Sequence, residues 1–119
     1  MDLNSIYAKN AFILSEYYLE LNHDSEKSTQ LRKIGTELTE AIDNVLWNYE
    51  DGVWYDFDLI NKQSRKYFTP SNLMPLWTET FDLNSQNEKN IHTEQAVKYI
   101  LEQNLDDYPG GVPTTLINR

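Results

Sequence analysis

Two amphipathic helices folded back on each other, a short β-hairpin and a third helix make an all-α architecture of αα-hairpins with one β-hairpin insertion. Three features of the sequence lead to it. Apolar residues recur at three-four spacing through the first two segments. The spacing shortens to two beyond Asp51-Gly52, the mark of a strand. Helical spacing then returns before a chain end rich in proline and glycine.

Asp2 or Asn4 caps the first helix, because a short polar side chain accepts the orphan amide hydrogens of an opening turn. Its apolar stripe is Leu3, Ile6, Tyr7, Ala11, Leu14, Tyr17, Tyr18 and Leu21. The turn formers Asn22-His23-Asp24-Ser25 interrupt it, and a second helix runs from Glu26 to about Asn48. Its stripe is Leu31, Ile34, Leu38, Ala41, Ile42 and Val45, and the short loop folds the pair into an αα-hairpin. Gly35 costs about 1 kcal/mol in helix propensity against alanine. A close contact between helices is the expected compensation. Next, Val53, Tyr55, Phe57 and Leu59 alternate with Trp54, Asp56, Asp58 and Ile60, and Asn61-Lys62 turns the chain into a return strand from Arg65 to Phe68. Pro70 ends the hairpin, and Ser71 caps one helical turn through Leu73-Met74 before Pro75. The polar run from Asp82 to Lys89 reads as loop or as a fraying helix start. Thr93 caps the third helix, with Val97, Ile100, Leu101 and Leu105 inward, and Tyr108-Pro109-Gly110-Gly111-Val112-Pro113 makes a rigid turn. No internal repeat of about 34 residues is visible.

At 119 residues the chain is one domain or part of one. A net charge of −9 argues against a nucleic-acid partner, since binding a phosphate backbone needs the lysines and arginines that are scarce here. The absence of cysteine removes disulfides and thiolate metal sites from consideration. There is no leader-like apolar stretch after Met1, no apolar run approaching the ~20 residues of a membrane span, and no Asn-x-Ser/Thr sequon.

Residue pairs with chemical potential were weighed one by one. Asp56 and Asp58 share a strand face at a Cα separation of ~6.8 Å, which invites comparison with a glycosidase carboxylate pair. Two acids on one strand more often serve backbone amides or a neighbouring arginine, and that is the reading preferred. Glu50-Asp51-Gly52 is not a calcium loop, because counting back from the glycine puts Trp47 at the first ligand position. His23 and His92 stand alone in the sequence, without the helical spacing of a zinc pair. Gly110-Gly111 lacks the lysine of a phosphate loop. The density of rings from Tyr49 to Trp77 suits a carbohydrate cleft, although each ring singly is better explained as core.

Four blocks, in order, resemble the trehalase family. Asp2-Leu3-Asn4 resembles its Val-Asp-Leu-Asn helix start. Leu46-Trp47-Asn48 with Asp51-Gly52-Val53-Trp54-Tyr55-Asp56-Phe57-Asp58 is similar to its W-N-x-x-x-G-V-W-x-D-Y-D segment. Tyr67-Phe68-Thr69-Pro70-Ser71-Asn72 followed by Pro75-Leu76-Trp77 resembles Y-F-x-P-S-N and P-L-W. Tyr108-Pro109-Gly110-Gly111-Val112-Pro113-Thr114-Thr115-Leu116 is similar to the stretch before its Q-W-D-x-P signature.

The resemblance implies an (α/α)6 barrel, six helical hairpins in two rings, and inverting hydrolysis of trehalose to two glucose molecules with no cofactor. In such a site one carboxylic acid protonates the glycosidic oxygen and a carboxylate ~6.5–9.5 Å away activates water. The family's acid lies upstream of the Asp-Leu-Asn block and its base well downstream, so no catalytic residue carries over to this chain. Asp2, Asn4, Gly110 and Gly111 carry over as cleft-side, substrate-binding positions. The expectation is therefore that residues 1–119 are a fragment of a single (α/α)6 catalytic domain, with Met1 before Asp-Leu-Asn pointing to a truncated reading frame. Such a piece leaves Tyr7, Leu14, Ile34, Ile42 and Ile100 short of neighbours and is inactive alone. The alternatives are a piece of another (α/α)6 glycosidase, of the glucoamylase kind, and a free-standing helical interaction module.

Overall fold

Helices α1 (Asp2–Glu20) and α2 (Ser25–Ala41) run antiparallel in the computed structural model, which describes residues 2–82 and 86–116. Asp24 starts α2, its Oδ1 accepting the Lys27 amide at 3.0 Å. The face joining the helices is not the predicted large apolar stripe. It is a seam of small residues: Ser5, Ala8, Ala11 and Ser15 from α1, and Ser28, Gly35 and Thr39 from α2. Across it the Ser15 hydroxyl donates to the Ser28 carbonyl at 2.8 Å. A Cβ on Gly35 would stand 2.9 Å from the Phe12 ring, so the predicted close approach is present and the glycine permits it. Most of the expected stripe faces outward, with Leu3 74%, Tyr7 58%, Leu14 46% and Leu21 73% exposed. Ile34 is exposed too.

The second helix ends in a π-helical turn, Ile42–Leu46, which puts Ile42 and Leu46 into the core. Ile42, expected to lack partners, is thus fully buried, and Ile100 is half-buried against a second cluster. Two strand pairs follow where one hairpin was expected. Strands β1 (Trp47–Asn48) and β2 (Val53–Trp54) pair antiparallel with Trp47 opposite Trp54. Strands β3 (Asp56–Asp58) and β4 (Gln63–Arg65) pair with Asp56 opposite Arg65. Lys62 takes the left-handed conformation at the second turn (φ 53°), as Asn61-Lys62 predicts.

Two of the family-like blocks prove to be structural. Asn48 Oδ1 accepts the Asp51 amide at 2.8 Å and the Asn48 carbonyl accepts the Gly52 amide at 2.8 Å. Gly52 has φ 77°, and a Cβ there would meet the Gln95 carbonyl oxygen at 2.9 Å. Only glycine meets both demands. Asn72, buried, donates from Nδ2 to the Tyr67 carbonyl at 2.8 Å and fixes the turn around Pro70. A 3-10 turn (Pro70–Leu73) leads into the short α3 (Met74–Thr78).

Helix α4 (Gln86–Glu102) begins well before Thr93, whose hydroxyl donates to the Lys89 carbonyl inside the helix. Of the two readings of this run, helix start holds from Gln86 onward, and residues 83–85 lie outside the described residues. Ala96 and Tyr99 are the buried residues of α4, whereas Val97 and Leu101 are exposed. One core cluster joins Ile42, Leu46, Trp47, Trp54, Phe81 and Ala96; the other joins Val53, Tyr55, Phe68, Tyr99 and Leu105. The molecule is elongated, 52 × 34 × 29 Å, with a radius of gyration of 16.1 Å. A closed domain of this length has a value of about 13.5 Å.

Candidate functional site

The largest concavity, about 700 Å³, lies between the end of α2 and the β3–β4 hairpin. Its floor is apolar, from Leu38, Val45 and Phe57 to Leu59 and Ile60, and its polar groups are Asn4, Asp56, Asp58 and Arg65. Leu59 and Ile60 are adjacent in sequence at the hairpin tip and 81% and 91% exposed.

Asp58 is committed to its turn. Its Oδ1 accepts the Ile60 and Asn61 amides at 2.9 and 3.0 Å, and its Oδ2 accepts the Asn61 side-chain amide at 2.8 Å. The bond from the Asn61 backbone, then that from its side chain, hold the carboxyl below the usual aspartate value. A group so stabilised as an anion is the opposite of a general acid, which needs a raised pKa. The preference for backbone partners over catalysis at this pair agrees with the geometry.

Of the four cleft-side positions, the structure brings one to this groove. Asn4 lines it; Asp2, two residues earlier at the start of α1, binds its own neighbour, Oδ1 accepting the Leu3 amide at 2.8 Å. Gly110 and Gly111 lie in the turn after α4, where the Gly111 amide donates to the Tyr108 carbonyl at 3.1 Å. Gly111 has φ 100°, and a Cβ added at either glycine meets nothing within 4 Å.

A second constellation escaped the sequence reading because its members are 39 residues apart. Asp43, in the π-helical turn, accepts the Asp82 amide on Oδ2 at 2.6 Å. The Asp82 carboxylate stands 2.7 Å from His92 Nδ1, both side chains about nine-tenths buried. The imidazole meets the Trp47 ring edge-on at 4.3 Å between centroids, with Phe81 and Trp54 behind it. Burial raises the Asp43 carboxyl above its ordinary value, against the opposing pull of the Asp82 amide and the His92 charge. Burial likewise raises the Tyr55 phenol, which donates to Asp51 Oδ2 at 2.7 Å, and the Tyr99 phenol. Among the described residues no three His, Cys, Asp or Glu side chains are grouped to hold a metal ion, and no helix is long and apolar enough to cross a membrane.

Comparison with known proteins places these features in a family. A family model described as Trehalase matches residues 1–119. The chain is 37% identical over 116 residues to a trehalase of Pimpla hypochondriaca, covering 98% of this chain and 19% of that protein. It is 41% identical over 116 residues to a trehalase of Tenebrio molitor (98% and 20% covered), and 33% identical over 116 residues to a human trehalase (98% and 19%). Among solved structures, a neutral trehalase from Saccharomyces cerevisiae superposes with a TM-score of 0.76 at 19% identity, over 96% of this chain and 21% of that one. The chain thus spans about a fifth of the length of the relatives it matches. Its helical pairs with two small strand pairs fit a partial (α/α)6 toroid.

Proposed function

The chain belongs to the trehalase family, and from that premise we propose that residues 1–119 are one part of a single (α/α)6 catalytic domain. The whole domain hydrolyses α,α-trehalose to two glucose molecules with inversion. The observation that carries this reading is the family match along all 119 residues by a chain one-fifth the length of its relatives. The outward apolar face of α1 supports it, because each large side chain left in water forgoes ~1.5–3 kcal/mol of burial that neighbouring hairpins would supply.

On this reading the proton donor and the water-activating carboxylate belong to other parts of the enzyme. Asp58, held as an anion by its turn, is unsuited to the first role. Asp2, Asn4, Gly110 and Gly111 contribute to the sugar cleft. In support, Asn4 opens onto a groove, and the unobstructed space about Gly110 and Gly111 leaves room for a sugar to approach the turn. A disaccharide, rather than a nucleic acid, also suits a chain of net charge −9.

Glucose release from trehalose tests the proposal. The purified 119-residue chain is expected to release none, and an enzyme carrying this chain within a polypeptide of its relatives' length is expected to be active. Hydrolysis by the isolated chain would show that it holds its own acid and base. In the longer enzyme, Asn4→Ala is expected to raise KM for trehalose; an unchanged KM would remove Asn4 from the cleft.

A further inference from the structure

The pocket beside His92 is rich in carboxyl groups. Asp43 from the π-helical turn, Glu40 from α2, and Asp82 and Glu88 from the α3–α4 side line one small cavity of about 210 Å³ with the imidazole, alongside Thr36, Thr39, Asn44 and Tyr49. In α4, Lys89 lies over the Phe81 ring, 5.3 Å from its centroid. His92 is the basic side chain among the lining residues.

The contact geometry specifies which form of His92 fits. Nδ1 and the Asp82 oxygen are 2.7 Å apart, a distance at which two lone pairs repel, so Nδ1 carries hydrogen. Yet the pair does not meet the angular requirement of a straight hydrogen bond, and both atoms are buried without another partner. A neutral imidazole gains little from so bent a contact, whereas an imidazolium gains the full attraction of the carboxylate. The backbone nearby also needs holding. Glu79 and Asp82 both take left-handed conformations, φ 57° and 47°, which non-glycine residues keep only when neighbours fix them. The Asp43 carboxylate fixes Asp82 through its amide; His92 fixes it through its side chain.

We propose that Asp43, Asp82 and His92 form a proton-operated clasp: a charged His92 fastens α4 to the aromatic core around Trp47 and Trp54, and loss of that proton releases it. Imidazole is the side chain best suited to a proton switch of this kind, and the clasp is tested between about pH 5 and 8. The proposal is independent of where the hydrolytic carboxylates lie.

Peptide-level hydrogen exchange across that pH range tests it on the purified chain at low micromolar concentration, with exchange corrected for its intrinsic pH dependence. Protection of residues 86–102 is expected to fall, by up to about tenfold per pH unit, the most that a single proton can supply. Protection of α1 and α2 is expected to stay constant. The fall is expected to vanish in His92→Gln and to persist in His23→Gln, since His23 is exposed and far along the chain. Should His92→Gln not fold, Asp82→Asn keeps the imidazole and removes its carboxylate, and the fall is then expected at lower pH. Ring-nitrogen spectra of the unaltered chain supply a further readout. If His92 titrates without change in the Trp47 indole signal or in α4 protection, or if His92→Gln keeps the wild-type profile, the clasp is excluded.

Discussion

The two ends of the molecule solve the burial problem in opposite ways. Between residues 42 and 105, two clusters of rings and branched chains turn inward, and Val53 and Trp54 lose all contact with solvent. In the α1–α2 pair the inward face is serine, alanine, glycine and threonine, and the large apolar side chains look out. The first region is a core. The second is a thin, tightly joined plank with its apolar area still to be covered. Hydrophobicity along a helix therefore marks which face wants burial, but not which neighbour supplies it.

Removing a ring from the first region is the most damaging change expected. Trp54→Ala deletes a fully buried indole packed on Trp47 and Phe81 and should cost about 3–5 kcal/mol. Urea unfolding followed by circular dichroism measures it, and a cost below that of trimming α1 would erase the contrast between the regions. Glycines come next. Gly52→Ala forces a left-handed alanine against the Gln95 backbone and should cost about 2–4 kcal/mol. Gly35→Ala meets only the outer atoms of the Phe12 ring and gains helix propensity, so its net effect should stay within about 1 kcal/mol. If Gly35→Ala proves the worse of the two, the plank is more rigid than the core.

Smaller still is Asp43→Asn. Burial raises the Asp43 carboxyl, so the folded state bears an ionised group at a cost above that raised value. The cost is relieved as pH falls through it toward the ordinary 3.8. The asparagine variant should therefore be the more stable near pH 7, by up to roughly 1 kcal/mol after solvent screening, with the gap closing toward about pH 4. A gap that widens in acid would reverse the sign of Asp43's contribution. Least of all, Leu14→Ser on the outer face of α1 should change monomer stability by no more than about 0.5 kcal/mol. It should, however, lower the mass seen by light scattering if uncovered faces of separate copies meet.

What the sequence disclosed, and what it hid, follows the same division. Turn chemistry was legible because it is local: Asn61-Lys62 and the change of spacing after Asp51-Gly52 each act within a few residues. The crowding at Gly35 was legible because a glycine mid-helix has few other reasons to be there. The start of α4 stayed open between loop and helix because its first turns, Gln86 to Asn90, are polar throughout and carry no apolar spacing. The inward face of α1 was misread because the small-residue seam competes with a stronger stripe that has no neighbour in this chain. Asp2 and Asn4 were placed by resemblance, and the structure puts Asn4 at the groove and Asp2 outside its lining. The link from Asp43 to His92 depends on three elements meeting, which no local pattern announces.

The wide turn at Ile42–Leu46 deserves one last consequence. Each residue of an ordinary helix swings its side chain about 100° around the axis, so a single added residue re-aims all that follows. Here Leu38, Ala41 and Val45 line the groove, and Ile42 and Leu46, which also border it, pack into the cluster of Trp47 and Trp54. The turn acts as an indexing joint between a stiff rod and a ribbon. Deleting one residue within it would leave every motif in the ribbon intact and aim the whole ribbon at the wrong side of the rod.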